Sequence, residues 1–162
     1  MLKDQVEILL VEDDPEDMDL TLRALNEEHI CNRIQVARDG EEALDFLFCR
    51  GPHATRDPNN HPKLILLDLK LPKVDGLEVL EQIKRDSRTK AIPVVVLTSS
   101  KQEQDMIQGY HLGANSYIQK PVDFEQFQAT VKRLGYYWLL VNQAPPQNAF
   151  DPGILDETLS DR

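Results

Sequence analysis

Cysteine is scarce in this sequence: Cys31 and Cys49 are the only two, too few and too far apart for a zinc framework. Basic charge is also in deficit. Lys and Arg together number 18 against 28 Asp and Glu, a net charge of -10, and no window clusters cations as a phosphate backbone requires. That disfavours unassisted binding to nucleic acid or an anionic membrane and favours a protein partner or a small charged ligand. No apolar run approaches the ~20 residues that span a bilayer, and the opening MLKDQVEILLVEDD has no stretch resembling a signal peptide. The histidines, His29, His53, His61 and His111, lack metal-ligand spacing; His53 and His61 read as solvated loop residues. What remains is the profile of a reduced, soluble, cytoplasmic protein. Its 162 residues, 41% of them hydrophobic, suffice for one core and are too few to expect two.

Along the chain, apolar strand-like runs alternate five times with segments of helical period. VEILLV precedes Asp14-Pro15, an N-cap with Pro at the first helical position, and then Met18, Leu22 and Leu25 at helical spacing. RIQVA leads to Asp39-Gly40-Glu41-Glu42, a capping-box-like opening, and LILLD leads through a Pro/Gly turn to Leu77, Leu80 and Ile83 on one helix face. IPVVVLT leads to Ser100 with Glu103 three residues on, which predicts a second capping box, and Gly113 is placed as the C-terminal cap of that helix. NSYIQ passes Lys120-Pro121 to Asp123 and a final helix. Such alternation with parallel-type apolar strands predicts an open, doubly wound, five-stranded α/β sheet in a single domain over residues 1–142. Residues 50–63, rich in Pro, Asn, Gly and His, read as an extended surface loop, and residues 143–162 as an acidic, Pro-containing flexible tail.

Ligands of open parallel sheets bind beyond the carboxyl ends of the strands, where strand order reverses. The first strand ends in Glu12, Asp13 and Asp14, the third in Asp68, the fourth in Thr98 and Ser99, and the fifth is followed by Lys120. Converging carboxylates need a cation between them, and oxygen-only donors suit a hard ion such as Mg²⁺. A lysine and a hydroxyl facing the same point suit an anion's oxygens, so the set could hold Mg²⁺ and a phosphoryl group together with one carboxylate as nucleophile. Each residue also has a plain reading: Glu12 to Asp17 as acids at a helix N-terminus, Asp68 as a turn residue, Thr98 and Ser99 as caps, Lys120 as a solvated lysine. Those readings do not explain why all of them fall at strand ends of one sheet. Asp14 itself is read as a helix cap.

With these residues in these positions, the chain resembles the receiver domains of two-component response regulators. Glu12 and Asp13 match the family's acidic pair, Asp68 its phospho-accepting aspartate, Thr98 its hydroxyl residue, Tyr117 its aromatic switch position and Lys120 its lysine, with spacings of 30 residues from Asp68 to Thr98 and 22 from Thr98 to Lys120. The resemblance covers about residues 5 to 142 and implies the flavodoxin-like strand order 2-1-3-4-5. It also implies bound Mg²⁺ (or Mn²⁺) held by Glu12, Asp13, Asp68 and the backbone carbonyl of Lys70, and a cis Lys120-Pro121 bond. The long loop before the third strand, the tail, and the lack of an effector segment resemble in particular the response regulators paired with cyanobacterial phytochromes.

The implied activity is acceptance of a phosphoryl group on Asp68 from a sensor histidine kinase, with Lys120 and Thr98 contacting the phosphoryl oxygens and Thr98 with Tyr117 forming the switch. Such a protein catalyses only its own phosphorylation and slow dephosphorylation. Output by protein contact or through a downstream phosphotransfer protein both remain open. In the final helix, Phe124, Phe127, Tyr136, Tyr137 and Trp138 give apolar surface nearly all round, which predicts a homodimer through the fourth helix, fifth strand and fifth helix. A phosphorylation-independent scaffold is the alternative. A haloacid dehalogenase-type phosphatase would want a second Asp where Lys70 stands, and an EF-hand reading of DDPEDMD lacks the loop's Gly and terminal Glu.

Overall fold

Three uninterrupted apolar runs form strands whose every residue is buried: β1 (Ile8–Val11), β3 (Leu64–Leu67) and β4 (Val94–Thr98). Two less apolar runs, IQVA and SYIQ, form β2 (Ile34–Ala37) and β5 (Ser116–Gln119), which are only partly covered. The positions follow from this difference, because a strand buried on both faces belongs inside a parallel sheet and a half-polar one at its rim. The strands pair in parallel in the order β2-β1-β3-β4-β5, with Ile8 opposite both Ile34 and Leu64 and Val95 opposite Ser116. This is a computed structural model, and it describes residues 6–27 and 33–145. The residues numbered 29, 31 and 146–162, which include a histidine, a cysteine and most of the expected tail, lie outside the described residues.

Successive strand residues face opposite ways and so supply two cores. On one face Leu9, Val11, Ile65, Leu67, Val94 and Val96 pack with α2 (Gly40–Leu47) and α3 (Gly76–Arg85). On the other, Ile8, Leu10, Leu64, Leu66, Val95 and Leu97 pack with α1 (Pro15–Asn26) and α5 (Phe124–Tyr136). The helices begin where their caps predict: Asp14 accepts from the Glu16 and Asp17 amides, Asp39 from Glu42 and Asp123 from Gln126, each cap worth about 1 kcal/mol. Gly76 is required by contact: a Cβ there would lie 2.4 Å from the Asp68 carbonyl oxygen, so the start of α3 is pressed against the turn that leaves β3.

Four expectations are corrected. α4 (Glu103–His111) is preceded by Gln102, not capped by Ser100, because the Ser100 hydroxyl donates to Asp105 (2.6 Å) and accepts from the Gln102 amide. His61 is not solvated, although the segment 50–63 runs mostly over the surface as a loop. A short 3₁₀ turn (Gly51–His53) opens it, the Arg56 guanidinium lies 4.1 Å from the Phe46 ring centroid and donates to the Asn60 carbonyl, the His53 ring meets Phe46 edge-on, and His61 is buried. Phe127 does not face outward, since one turn of helix places it with Val131 and Leu134 against the sheet. Burial of an aromatic there contributes about 2 kcal/mol to the monomer. Finally, Lys120-Pro121 is trans, as no described peptide bond is cis; trans is the cheaper isomer by about 0.5–1 kcal/mol, and the chain direction is already set by the Lys120 amide donating to the Thr98 carbonyl at 2.7 Å.

Candidate functional site

Strand order reverses between β1 and β3, and the site lies beyond their carboxyl ends, where an open parallel sheet leaves a crevice. Backbone pairing continues one step past the strands: the Glu12 amide donates to the Ala37 carbonyl, the Asp68 amide to Val11, and the Lys120 amide to Thr98. These bonds fix where each side chain leaves the sheet. Carboxylate oxygens of Glu12, Asp13 and Asp68 all lie within 4.8 Å of one another, with Glu12 and Asp68 buried and Asp13 exposed. A set of oxygen donors that close, partly desolvated and net negative fits a hard divalent cation.

Lys120 closes the site from the β5 side. Its ammonium donates to Glu12, to Asp17 at 2.8 Å and to Asp68 at 3.0 Å, and its side chain is only 7% exposed. Burial alone would push Lys120 down, but the hydrogen bonds to Asp17 and Glu12 and the charge of Asp68 outweigh it and hold it above the usual lysine value. Burial likewise opposes ionisation of Asp68, yet the Lys120 charge, helped by hydrogen bonds from Glu12, Lys120 and Thr98, keeps it below the ordinary carboxyl range. Glu12 goes the other way, pushed up to about 8, chiefly by burial and further by the neighbouring Asp68 charge. Their surroundings therefore push the two carboxyls apart: Asp68 is held toward the ionised form, suited to act as a nucleophile, and burial biases Glu12 toward protonation.

Thr98 is fully buried at the end of β4 and its hydroxyl accepts from the Ser100 amide at 3.3 Å. Tyr117 lies back along β5. Its ring packs over Gly109 of α4, where a Cβ would come within 3.2 Å, and its hydroxyl is buried and pushed up in pKa by that burial. The Lys70 side chain is exposed, and its amide reaches Asp68 at 3.4 Å. The structure thus brings together Glu12, Asp13, Asp68 and Lys120 with Thr98 beside them. The aromatic residues of the final helix stand apart: Phe124, Tyr136 and Tyr137 are exposed, Trp138 is half-buried and Phe127 is inside the core.

Asp17, one of the acids in the first turn of α1, accepts from Lys120. Its position was legible in one respect. Once Asp14 is the cap, Asp17 lies on the same face of α1 as the buried Thr21, Ala24 and Leu25, and a carboxylate on an inward stripe wants a partner.

Comparisons with known proteins place the chain among relatives of known family. A family model described as the response regulator receiver domain matches residues 8–132. A protein described as a probable methanogenesis regulatory protein, FilR2 of Methanothrix harundinacea, is 45% identical over 138 residues, 85% of this chain and 86% of that one. Response regulator Rcp1 of Synechocystis sp. is 41% identical over 132 residues, 82% and 88% of the two chains. Among solved structures, the phosphorylated cyanobacterial phytochrome response regulator RcpA superposes with a TM-score of 0.82 at 40% identity, covering 88% of this chain and 99% of that one. The Mn²⁺-bound form of Rcp1 does so with 0.81 at 39%, covering 87% and 99%.

Proposed function

Because this chain belongs to the response regulator receiver-domain family, as a homologue of phytochrome response regulators, we propose that it takes a phosphoryl group onto Asp68 from a phytochrome-type histidine kinase in the cytoplasm. The observation that carries this reading is the pairing of an ionised, buried Asp68 with Lys120 at 3.0 Å, inside a cluster with Glu12 and Asp13. An Asp68 carboxylate oxygen attacks phosphorus of the kinase phosphohistidine. The phosphorus–nitrogen bond breaks, and the imidazole leaves with the electron pair and takes up a proton. A divalent cation, Mg²⁺ or Mn²⁺, neutralises charge on the phosphoryl oxygens when bound; Glu12, Asp13, Asp68 and the Lys70 carbonyl are the groups proposed to hold it. Lys120 donates to a phosphoryl oxygen, and the Thr98 hydroxyl to another.

That last hydrogen bond supplies the difference between two packings. Thr98 drawn toward the phosphoryl group opens space into which Tyr117 rotates, changing its packing over Gly109 and so re-shaping the face of α4, β5 and α5. The elements of that face and the turn after α5 expose Ile107, Tyr110, Phe124, Tyr136 and Leu140, large apolar side chains of the kind that partners cover. We propose that a second copy of the chain covers it, with Phe124, Tyr136, Tyr137 and Trp138 in the interface, and that the signal leaves by protein contact or through a downstream phosphotransfer protein. The chain acts on no substrate beyond its own aspartate.

Incubation with Mg²⁺ and acetyl phosphate, read by intact mass and sizing chromatography, tests both statements. Wild type should gain one phosphoryl group only when Mg²⁺ is present, Asp68→Asn should gain none, and the protein should elute as a dimer. A folded wild type that gains nothing points to a phosphorylation-independent scaffold, and monomer alone at tens of micromolar in both states removes the dimer.

A further inference from the structure

A lysine ammonium has three N–H donors, and in this structure all three of Lys120 are taken, by Glu12, Asp17 and Asp68. A phosphoryl oxygen can gain a Lys120 hydrogen bond only by displacing one of them. Glu12 and Asp68 belong to the carboxylate cluster that fits a cation. Asp17 does not. It comes from the first turn of α1, its side chain is 29% exposed, and Lys120 is its one ion-pair partner among the described residues.

We propose that Asp17 is a positioning residue for phosphoryl transfer: it holds Lys120 in place in the resting protein and competes with the incoming phosphoryl oxygens for that ammonium, so that it sets how tightly the site takes an anion. This rests on the reading of Asp68 as phosphoacceptor. Two physical consequences follow from a carboxylate at 2.8 Å from the ammonium. Its charge offsets much of the attraction that Lys120 offers an anion, and it repels the anion directly across a few ångströms of partly desolvated space. It also keeps Lys120 extended toward the crevice when Asp68 becomes an acyl phosphate and can no longer accept in the same way. Asp17→Asn removes the charge but leaves an amide oxygen able to accept from Lys120, and therefore separates the first effect from the second.

The test is phosphorylation of wild type, Asp17→Asn and Asp19→Asn by acetyl phosphate in saturating Mg²⁺, together with the affinity of each for beryllofluoride, an acyl-phosphate mimic. Asp19 removes the same charge from the same helix but is exposed and paired with Arg23. For Asp17→Asn, the KM for acetyl phosphate and the beryllofluoride Kd should both fall roughly three- to tenfold, with the maximal rate within about twofold, since the lysine stays held. Asp19→Asn should match wild type. The inference is overturned if Asp17→Asn leaves KM and Kd unchanged, if it lowers only the maximal rate, or if Asp19→Asn reproduces its effect. Those outcomes leave the phosphoacceptor reading intact; failure of that reading would instead show as a wild type that neither gains mass nor binds beryllofluoride, which sinks both.

Discussion

Two lysines at opposite edges of the same sheet, Lys120 buried and Lys84 half-buried, each use all three of their hydrogen bonds, and they behave in opposite ways. Lys120, at the carboxyl edge, donates to three carboxylates. Lys84, at the end of α3, donates to the Lys90 and Ile92 carbonyls and to the Asn115 side-chain oxygen at 3.1, 2.8 and 3.1 Å, beside the amino ends of β4 and β5. Charged partners hold Lys120 above its ordinary pKa, whereas burial among neutral acceptors pushes Lys84 down to about 8, although three oxygens suit an ammonium. The lesson is that burial and full hydrogen bonding do not mark a reactive lysine. A surplus of carboxylates around it does, because that surplus is a cost to the fold that only a cation or an exchange of ligands relieves.

Removing each lysine breaks the comparison most sharply. Lys120→Met should cost about 3–5 kcal/mol in urea unfolding at pH 8, because buried carboxylates lose their counter-charge, and added Mg²⁺ should restore part of it. Its phosphorylation should collapse. Lys84→Met should cost less, about 1–2 kcal/mol from unsatisfied carbonyls, with phosphorylation within about twofold of wild type. If Lys84→Met impaired phosphorylation as Lys120→Met does, the distinction drawn between the two edges would fail.

A smaller effect concerns pH. With Lys84 at about 8 when folded against an ordinary 10.5, the unfolded chain binds more protons between those values. The Lys84 contribution to stability should therefore rise from pH 8 to 10.5, its penalty being fully present below pH 8. Lys120, raised above 10.5, contributes fully below that pH and loses its contribution only above it. Urea midpoints of wild type minus those of Lys84→Met, taken at pH 7, 8, 9 and 10, should climb with pH; a flat or falling difference would mean that the three acceptors outweigh burial.

The contrast between the edges also explains what the sequence could and could not convey. Glu12, Asp13, Asp68, Thr98 and Lys120 were legible because each directly follows or ends an apolar run, and alternation of strands and helices carries all such ends to one edge. The caps at Asp14, Asp39 and Asp123 were legible because their partners are two or three residues away. Lys84 was not, since its acceptors are backbone carbonyls and an Asn 31 residues distant. Asp17 was hidden by a commoner role for acids in a first turn. Phe127 was misassigned because a helix that is apolar nearly all round has no phase that separates its inward stripe from its outward one, and Ser100 because Thr98, Gln102 and Asp105 compete for the groups that would have made the capping box. His53 and Arg56 pack onto Phe46 of α2, and His61 is buried, through contacts that no period in the loop announces.

The most direct test of the phosphoacceptor is to locate the phosphoryl group itself. Protein phosphorylated in Mg²⁺ would be treated with borohydride, which reduces an acyl phosphate to the alcohol and so converts a phosphorylated aspartate to homoserine, and then digested and sequenced by mass spectrometry. Homoserine at position 68 and nowhere else is the predicted result. Conversion at Asp13 or Asp17, or none in protein that has gained phosphoryl mass, would contradict it.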